Sequence, residues 1–288
     1  MYAIAGITGR VGGAAARRLL AEGRPVRAVL RDAAKGEEWV RQGAELAIAD
    51  FKDADALARA FTGAEGVFVM VPPYSAPDPG FAGAHAAAEA LAQAIRKAKP
   101  GRVVALSSVG AYRSSGLGLI TQSHILERAL ADTGVPTAIL RPAWFMENSA
   151  WDIAPARETG EMPSFLQPLD RPFPMVATQD IGRIAAATLQ EDWAGTRVIE
   201  IEGPRRYSQA EIASLLGAVL GRAVTAKPVP RSEWEALFRA RGSAHPAPRL
   251  EMLDGFNTGW IDFEPDRHEH VAGTTRFKAV LVPLAKSA

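Results

Sequence analysis

The amino-acid sequence predicts an α/β fold: a Rossmann-like, doubly wound parallel sheet with a smaller C-terminal substrate region. Three observations carry that prediction. Short apolar runs alternate with helical patterns through the first half of the 288-residue chain. The runs lack an in/out alternation, as strands covered on both faces do. A glycine loop, Gly6-Ile7-Thr8-Gly9-Arg10-Val11-Gly12, joins the first run to the first helical pattern.

The predicted strands of this half are Tyr2–Ile7, Pro25–Leu30, Glu45–Ala49, Gly66–Val71, Arg102–Leu106 and Thr137–Leu140. The predicted helices between them are Val11–Glu22, Ala33–Gln42, Asp53–Phe61, Gly80–Lys97 and Leu117–Thr133. Gly23, Gly43, Gly63 and Gly134 stand where left-handed C-caps belong. Repeated βαβ units imply right-handed crossovers and a parallel sheet. After Arg141 the pattern loosens. Pro155, Pro163, Pro168, Pro172 and Pro174 exclude a continuous helix or a central strand over residues 151–175. Thr178 then opens a helix reaching about Glu191, and Arg197–Glu202 reads as a further strand. Tyr207–Gly221 is helical, with a capping box formed by Ser208 and Glu211. Residues 1–150 are therefore expected to form the dinucleotide-binding domain, with 176–203 returning to it. Residues 151–175 and 204–288 are expected to form the smaller substrate region.

Composition narrows the function. The formal net charge is +1, which provides no general field for nucleic acid or an anionic membrane. Direct nucleic-acid binding is not expected. The chain has no cysteine, which excludes disulfides, a thiol nucleophile and thiolate metal sites. A strand-like run follows Met1 at once, so no secretory leader is read there. A cytoplasmic protein without membrane association is the expectation.

The glycine loop follows a strand and opens a helix. A pyrophosphate placed there meets free backbone N–H groups and the positive end of the helix dipole. Gly6, Gly9 and Gly12 admit the close approach, with Thr8, Arg10 and Val11 beside them. After the second strand comes Arg31, where an acidic residue would grip the ribose 2′-hydroxyl of NAD and an arginine the 2′-phosphate of NADP. Arg31, Lys35 and Arg10 are expected to converge on that phosphate, which favours NADP(H). In the other reading they are solvated surface charges. Asp32 reads equally as a ribose ligand or as the next N-cap. Asp50 and Phe51, after the third strand, are candidates for the adenine end.

Ligands in such sheets sit beyond the carboxyl ends of the strands. That rule selects Val71, Pro72 and Tyr74 after the fourth strand, and Ser107, Ser108 and Tyr112 after the fifth. After the sixth it selects Trp144, Phe145 and Asn148. Val71, Pro72, Ser107 and Ser108 are assigned to the cofactor. Tyr74, Trp144, Phe145 and Asn148 are assigned to a flat, aromatic or quinoid substrate. For Phe145 and Met146 a place in the hydrophobic core is an equal reading.

Taken together, Gly-x-Thr-Gly-x-x-Gly, Arg31, Ser107-Ser108-Val109-Gly110-Ala111, His124-x-x-Glu127 and Leu140–Asn148 resemble the NmrA-like branch of atypical short-chain dehydrogenases. The likeness covers roughly residues 2–220. Met1-Tyr2, Ser115–Gly118 and Gly259–Phe263 more narrowly resemble its flavin-independent NAD(P)H azoreductase and quinone oxidoreductase subgroup. The resemblance implies NADP(H) and either reduction of quinones or azo compounds, or a non-catalytic redox-sensing role.

The chain departs from the wider superfamily at one point. The residues four positions beyond its four tyrosines are Gly6, Asp78, Gly116 and Glu211, so the usual Tyr-x-x-x-Lys pair is absent. Proton transfer must come from elsewhere. His124 and Glu127, three residues apart on the fifth helix, are neighbours by spacing, with Glu127 expected to orient His124. A solvated helix face is the alternative, and Tyr112 is a second proton-donor candidate. His268-Glu269-His270 is read as surface rather than as a metal site. The expected function is an oxidoreductase passing hydride from NADPH to an electron-poor conjugated acceptor. The alternative is an NADP(H) sensor.

Overall fold

The strand β1 (Tyr2–Ala5) is buried at every position, and so are β4 (Gly66–Val69) and β6 (Thr137–Pro142). Such strands need cover on both faces, and the intervening helices supply it. The computed structural model describes residues 1–265 and 269–287. In chain order the first half continues with α1 (Arg10–Ala21), β2 (Val26–Leu30), α2 (Glu37–Arg41), β3 (Glu45–Ile48), α3 (Ala54–Phe61), α4 (Ala82–Ala98), β5 (Val103–Leu106) and α5 (Thr121–Leu130). The second half contributes β7 (Trp144–Phe145), α6 (Ile153–Thr159), β8 (Glu161–Ser164), β9 (Met175–Val176), α7 (Thr178–Thr188) and β10 (Thr196–Glu202). It ends with α8 (Gln209–Leu220), β11 (Thr225–Pro228), α9 (Trp234–Ala240), α10 (Ala247–Thr258), β12 (Glu269–Ala272) and α11 (Phe277–Ser287).

Eight strands form one parallel sheet in the order β12-β10-β6-β5-β4-β1-β2-β3. This is a Rossmann-like, doubly wound sheet. Its strand order reverses between β1 and β4, which places the ligand crevice at their carboxyl ends. Ala3, Ala5, Val67, Val69 and Val103 face a core shared with α3, α4 and α5. Ile4, Ala28, Phe68, Val104 and Leu140 face the opposite core under α1 and α7. The two helices of that second core meet closely. A Cβ on Gly182 of α7 would lie 2.8 Å from the Ala15 nitrogen of α1. A third core, with Tyr207, Trp234, Phe238, Phe256 and Phe277, joins parts of the chain beyond β6 to Val109, Ala111 and Leu117 from the loop after β5.

β10 adds to the sheet beside β6. β12 adds outside it, with Ile199 opposite Glu269. Nothing in Glu269–Ala272 announces a strand, because only one apolar position is half-buried at a sheet edge. Gly23, Gly43, Gly63 and Gly134 all have positive φ, as helix-ending residues do. The fifth helix begins later than its periodicity suggests. Gly118 has a φ of +54°, so residues 118–120 form a 3₁₀ turn and α5 starts at Thr121. Short pieces alone occupy the proline-rich stretch. The seven-residue α6 holds Pro155, and β8 holds Pro163 in a two-stranded sheet with β11. Of the His-Glu-His motif, His268 lies outside the described residues. Among the described residues no group of three or more His, Asp or Glu is placed to hold a metal ion. None of their helices is long and apolar enough to cross a membrane.

Candidate active site

The glycine loop is closed by two backbone bonds. The Gly9 N–H donates to the Gly6 carbonyl at 2.9 Å, and the Gly13 N–H to the Gly9 carbonyl at 2.8 Å. Gly6 has a φ of +73°, and a Cβ on Gly12 would lie 2.6 Å from the Gly6 carbonyl oxygen. The loop backbone is therefore folded onto the first helical turn with no room for side chains. Gly9 caps α1 without a side-chain bond, and no acidic residue stands in the first turn. The N-terminal N–H groups of α1 thus face outward with no carboxylate competing for them. Thr8, Gly9 and Arg10 are exposed, while Val11 and Gly12 are buried beneath them. Phe51 and Met70 line the side of Gly6.

Arg31 stands at the carboxyl end of β2, 80% exposed, with Asp50 3.9 Å away. Asp50 also accepts from the Lys52 N–H at 2.9 Å. Asp32 is the N-cap, accepting from the Ala34 N–H at 3.1 Å. Lys35 is exposed in the 3₁₀ turn that follows. Arg10 does not join Arg31 and Lys35. Its guanidinium donates instead to the Glu147 carbonyl at 3.1 Å, across the crevice in the segment after β6. The expected convergence of three cations therefore does not include Arg10. Sequence spacing places Arg10 in the loop but does not give its side chain's direction.

Glu147 lies within the Leu140–Asn148 motif. Its carboxylate accepts from the Thr178 N–H at 2.9 and 3.0 Å and from the Thr178 hydroxyl at 2.6 Å. One residue thus caps α7 with its side chain and anchors Arg10 with its carbonyl. The segment after β6 is tied to both helices flanking the glycine loop.

At the reaction end the pairing of His124 with Glu127 is not found. Both Glu127 oxygens are held by Arg141, at 3.0 Å from Nε and 2.7 Å from Nη2. The Ser107 hydroxyl donates to the same carboxylate. Arg141 reaches Glu264 with its third nitrogen at 2.8 Å, and Glu200 accepts from the Glu264 N–H at 2.9 Å. Arg141 is 7% and Glu127 12% exposed. Glu127 is therefore a member of a buried ion network, and the Ser107 hydroxyl donates into it. Arg141 lies 14 positions from Glu127 along the chain, outside any helical spacing rule.

His124 is oriented by a different group. Its Nδ1 lies 2.9 Å from the Ala111 carbonyl, which leaves Nε2 without a partner among the described residues. Tyr112 is half-buried nearby, its ring under the guanidiniums of Arg113 at 4.9 Å and Arg141 at 5.7 Å. Burial pushes the Tyr112 phenol above its ordinary range; Glu264, Glu200 and Asp262 push the same way and Arg113 opposes them. The shift is opposite to the lowering that a tyrosine–lysine pair would produce.

The remaining candidates divide between wall and packing. Val71 is buried and Pro72 half-buried after β4, and Ser108 is half-buried after β5. The Tyr74 ring lies against Gly83 of α4, and its backbone is clamped by Gln122, which accepts at 3.3 Å and donates at 3.0 Å. Gln122 had no sequence signal. Trp144 meets Phe256 edge to face with centroids 5.1 Å apart. Phe145 is half-buried against the core under α1 and α7, and Met146 is fully buried. Asn148 is exposed.

The NmrA-like family model matches residues 2–249. The NAD(P)H azoreductase of Xenophilus azovorans is 28% identical over 225 residues, covering 78% of this chain and 75% of that protein. Quinone oxidoreductase 2 of Escherichia coli is 25% identical over 244 residues, covering 84% and 82%. The crystal structure of an NADPH-dependent quinone oxidoreductase from Escherichia coli, complexed with NADPH, superposes with a TM-score of 0.80 at 22% identity, covering 99% of both chains. That last likeness is one of fold.

Proposed function

The chain belongs to the NmrA-like family, and from that premise we propose that it is an NADPH-dependent reductase of electron-poor conjugated acceptors, quinones or azo compounds, working without flavin. The observation that carries the proposal is the glycine loop. It is shaped for a pyrophosphate, with Gly12 pressed onto Gly6 and the first turn of α1 free of side-chain caps. Two relatives named as an azoreductase and a quinone oxidoreductase favour an enzyme over a sensor.

In this reading the loop Gly6–Gly12 holds the pyrophosphate by backbone N–H groups. Arg31, exposed and only loosely paired with Asp50, takes the 2′-phosphate with Lys35 beside it. Asp50 and Phe51 border the adenine end, and Val71, Pro72 and Ser108 border the nicotinamide end. When bound, the reduced nicotinamide supplies the hydride. Trp144 and Tyr112 wall the acceptor and exclude water from it. The Ala111 carbonyl holds Nδ1 of His124, which presents Nε2 as the atom through which a proton reaches the acceptor. Tyr112, kept protonated by its surroundings, is a hydrogen-bond donor rather than a base. Quinones and azo groups stabilise the charge left by hydride addition, so the missing Tyr-x-x-x-Lys pair is tolerable.

The test is NADPH oxidation against a panel of quinones and azo dyes with no flavin added. Turnover is expected with at least one acceptor. Tight NADPH binding with no turnover of any acceptor would replace the reductase with the sensor.

A further inference from the structure

The C-terminal region holds polar groups that the reductase mechanism leaves unused. Arg241 follows α9, Arg249 stands in the first turn of α10, and Ser243 lies in the loop between. Phe165 and Phe238 stack with centroids 4.9 Å apart. Arg241 lies over Phe165 at 5.9 Å, and Arg249 over Phe238 at 5.2 Å. Two guanidiniums thus share one aromatic platform. Their neighbours Arg231 and Arg239 are paired with Asp254 at 2.8 Å and Glu235 at 2.9 Å. Among the described residues, neither Arg241 nor Arg249 has a carboxylate within ion-pair distance, and Arg249 is half-buried. The Ser243 hydroxyl oxygen is buried without a hydrogen-bond partner.

Electrostatics reinforces the geometry. Burial and the nearby charge of Arg241 both lower the pKa of Arg249. The carboxyl whose field reaches Arg241 is Asp152, which burial raises to about 7 against the opposing pull of Ser149 and Arg241. Half-neutral at physiological pH, it does not cancel two positive charges.

The helix that carries Arg249 adjoins the reaction end. Pro248 and Met252 of α10 abut Gly118 at the head of α5, the helix carrying Gln122 and His124. His245 lies 3.8 Å from Asp78 in the loop after β4. The start of α10 therefore bridges the segments that follow β4 and β5. A half-buried cation without counter-charge, as Arg249 is, is costly, and a planar fork on an aromatic ring is suited to a tetrahedral or planar anion.

We infer that Arg249 and Arg241 form an anion subsite bordering the reaction end, so that the preferred acceptor is a conjugated molecule bearing a sulfonate, carboxylate or phosphate group. Its role in acceptor choice rests on the reductase reading; the anion subsite itself does not. The test compares 1,4-naphthoquinone with 1,4-naphthoquinone-2-sulfonate in NADPH oxidation by the full chain. The sulfonate is expected to have a KM about tenfold lower. Arg249→Gln and the more exposed Arg241→Gln should each raise that KM about tenfold, leaving KM and kcat for the neutral quinone unchanged. Arg249→Lys should fall between. Equal KM values for both quinones in wild type and variants, with turnover intact, overturn the subsite and spare the reductase. Failure to turn over either quinone counts against the reductase, and calorimetry with 2-naphthalenesulfonate and 2-naphthol in the presence of NADP⁺ then decides the subsite. Sulfonate binding lost in Arg241→Gln supports it. Equal or absent binding of the two overturns it.

Discussion

Replacing Glu127 by glutamine separates a structural role from a chemical one. The carboxylate accepts two bonds from Arg141, at 2.7 and 3.0 Å, and both side chains are at most 12% exposed. Breaking such a buried pair from one side costs about 3–5 kcal/mol, because the other charge is stranded. Arg141 keeps Glu264 at 2.8 Å, so the low end, about 3 kcal/mol, applies. At about 2 °C per kcal/mol for a chain of this size, the melting temperature should fall by about 6 °C. Arg141→Met should cost more, about 4 kcal/mol, since it strands Glu127 and Glu264 together. The double variant should lose less than the sum, with a coupling of about 2 kcal/mol. Differential scanning calorimetry reads the first quantities, and steady-state NADPH oxidation well below the transition reads the second. Activity of the folded Glu127→Gln protein should stay within about twofold, since no proton passes through Glu127. An unchanged melting temperature with kcat down about a hundredfold would refute the reasoning and return Glu127 to the chemistry.

Four further outcomes follow from the same geometry. Arg31→Ala should weaken NADPH binding by about ten- to a hundredfold, the range of a charge-assisted contact, and leave NADH unchanged in a fluorescence titration; equal losses for both cofactors would move the 2′-phosphate site elsewhere. His124→Gln should lower kcat by about tenfold, below the usual range for general acids because the acceptor needs little protonation, with the NADPH dissociation constant unchanged; full activity would exclude His124 as donor. Asp152, raised from 3.8 to about 7, is protonated in the fold while the unfolded chain ionises, so its stability contribution is full below about pH 4, is lost by about pH 7 and is flat beyond. The shift corresponds to about 4 kcal/mol, reduced to about 2 by partial exposure, so Asp152→Asn should gain about that at pH 8 and nothing at pH 4, read by urea unfolding at each pH; an equal gain at both would disprove the linkage. Gly182→Ala should cost about 1–3 kcal/mol by chemical denaturation, because its methyl would meet the Ala15 nitrogen at 2.8 Å and the Val11 carbonyl at 2.9 Å; no loss would mean that α1 and α7 separate freely.

The sheet was legible because its signals are local. A buried parallel strand is an apolar run, and a left-handed glycine ends each of several helices. The glycine loop was legible for the same reason: loop, strand and helix are contiguous. β12 was not, since an edge strand of Glu-His-Val-Ala draws its partner from residues 70 positions away in β10. The side chains of the site split along the same line. Asp32 as N-cap and the Ser208–Glu211 box are local, and both are present. The partners of Arg10, Ser107, Glu127 and Gln122 come from other elements: Glu147 for Arg10, Arg141 for Glu127, the Glu127 carboxylate for Ser107, and the Tyr74 backbone for Gln122. Helical spacing says which residues share a face, but it does not say what lies opposite that face.

That distinction bears on the chemistry. With Glu127 and Ser107 held in the Arg141 network, the proton-transfer candidates left among the described residues are His124, through Nε2, and the phenol of Tyr112. The phenol is held in its neutral form by burial and by three carboxylates, so it does not act as a base near neutral pH. A secondary alcohol must surrender its hydroxyl proton as hydride leaves, and without a tyrosine–lysine pair that task falls, among the described residues, to Nε2 of His124. A quinone or an azo group makes the opposite demand: it accepts hydride first, delocalises the charge, and takes its proton from a weak donor or from water. The proposed reduction of a conjugated acceptor therefore asks less of this site than alcohol oxidation would, since it needs a weak donor and no base.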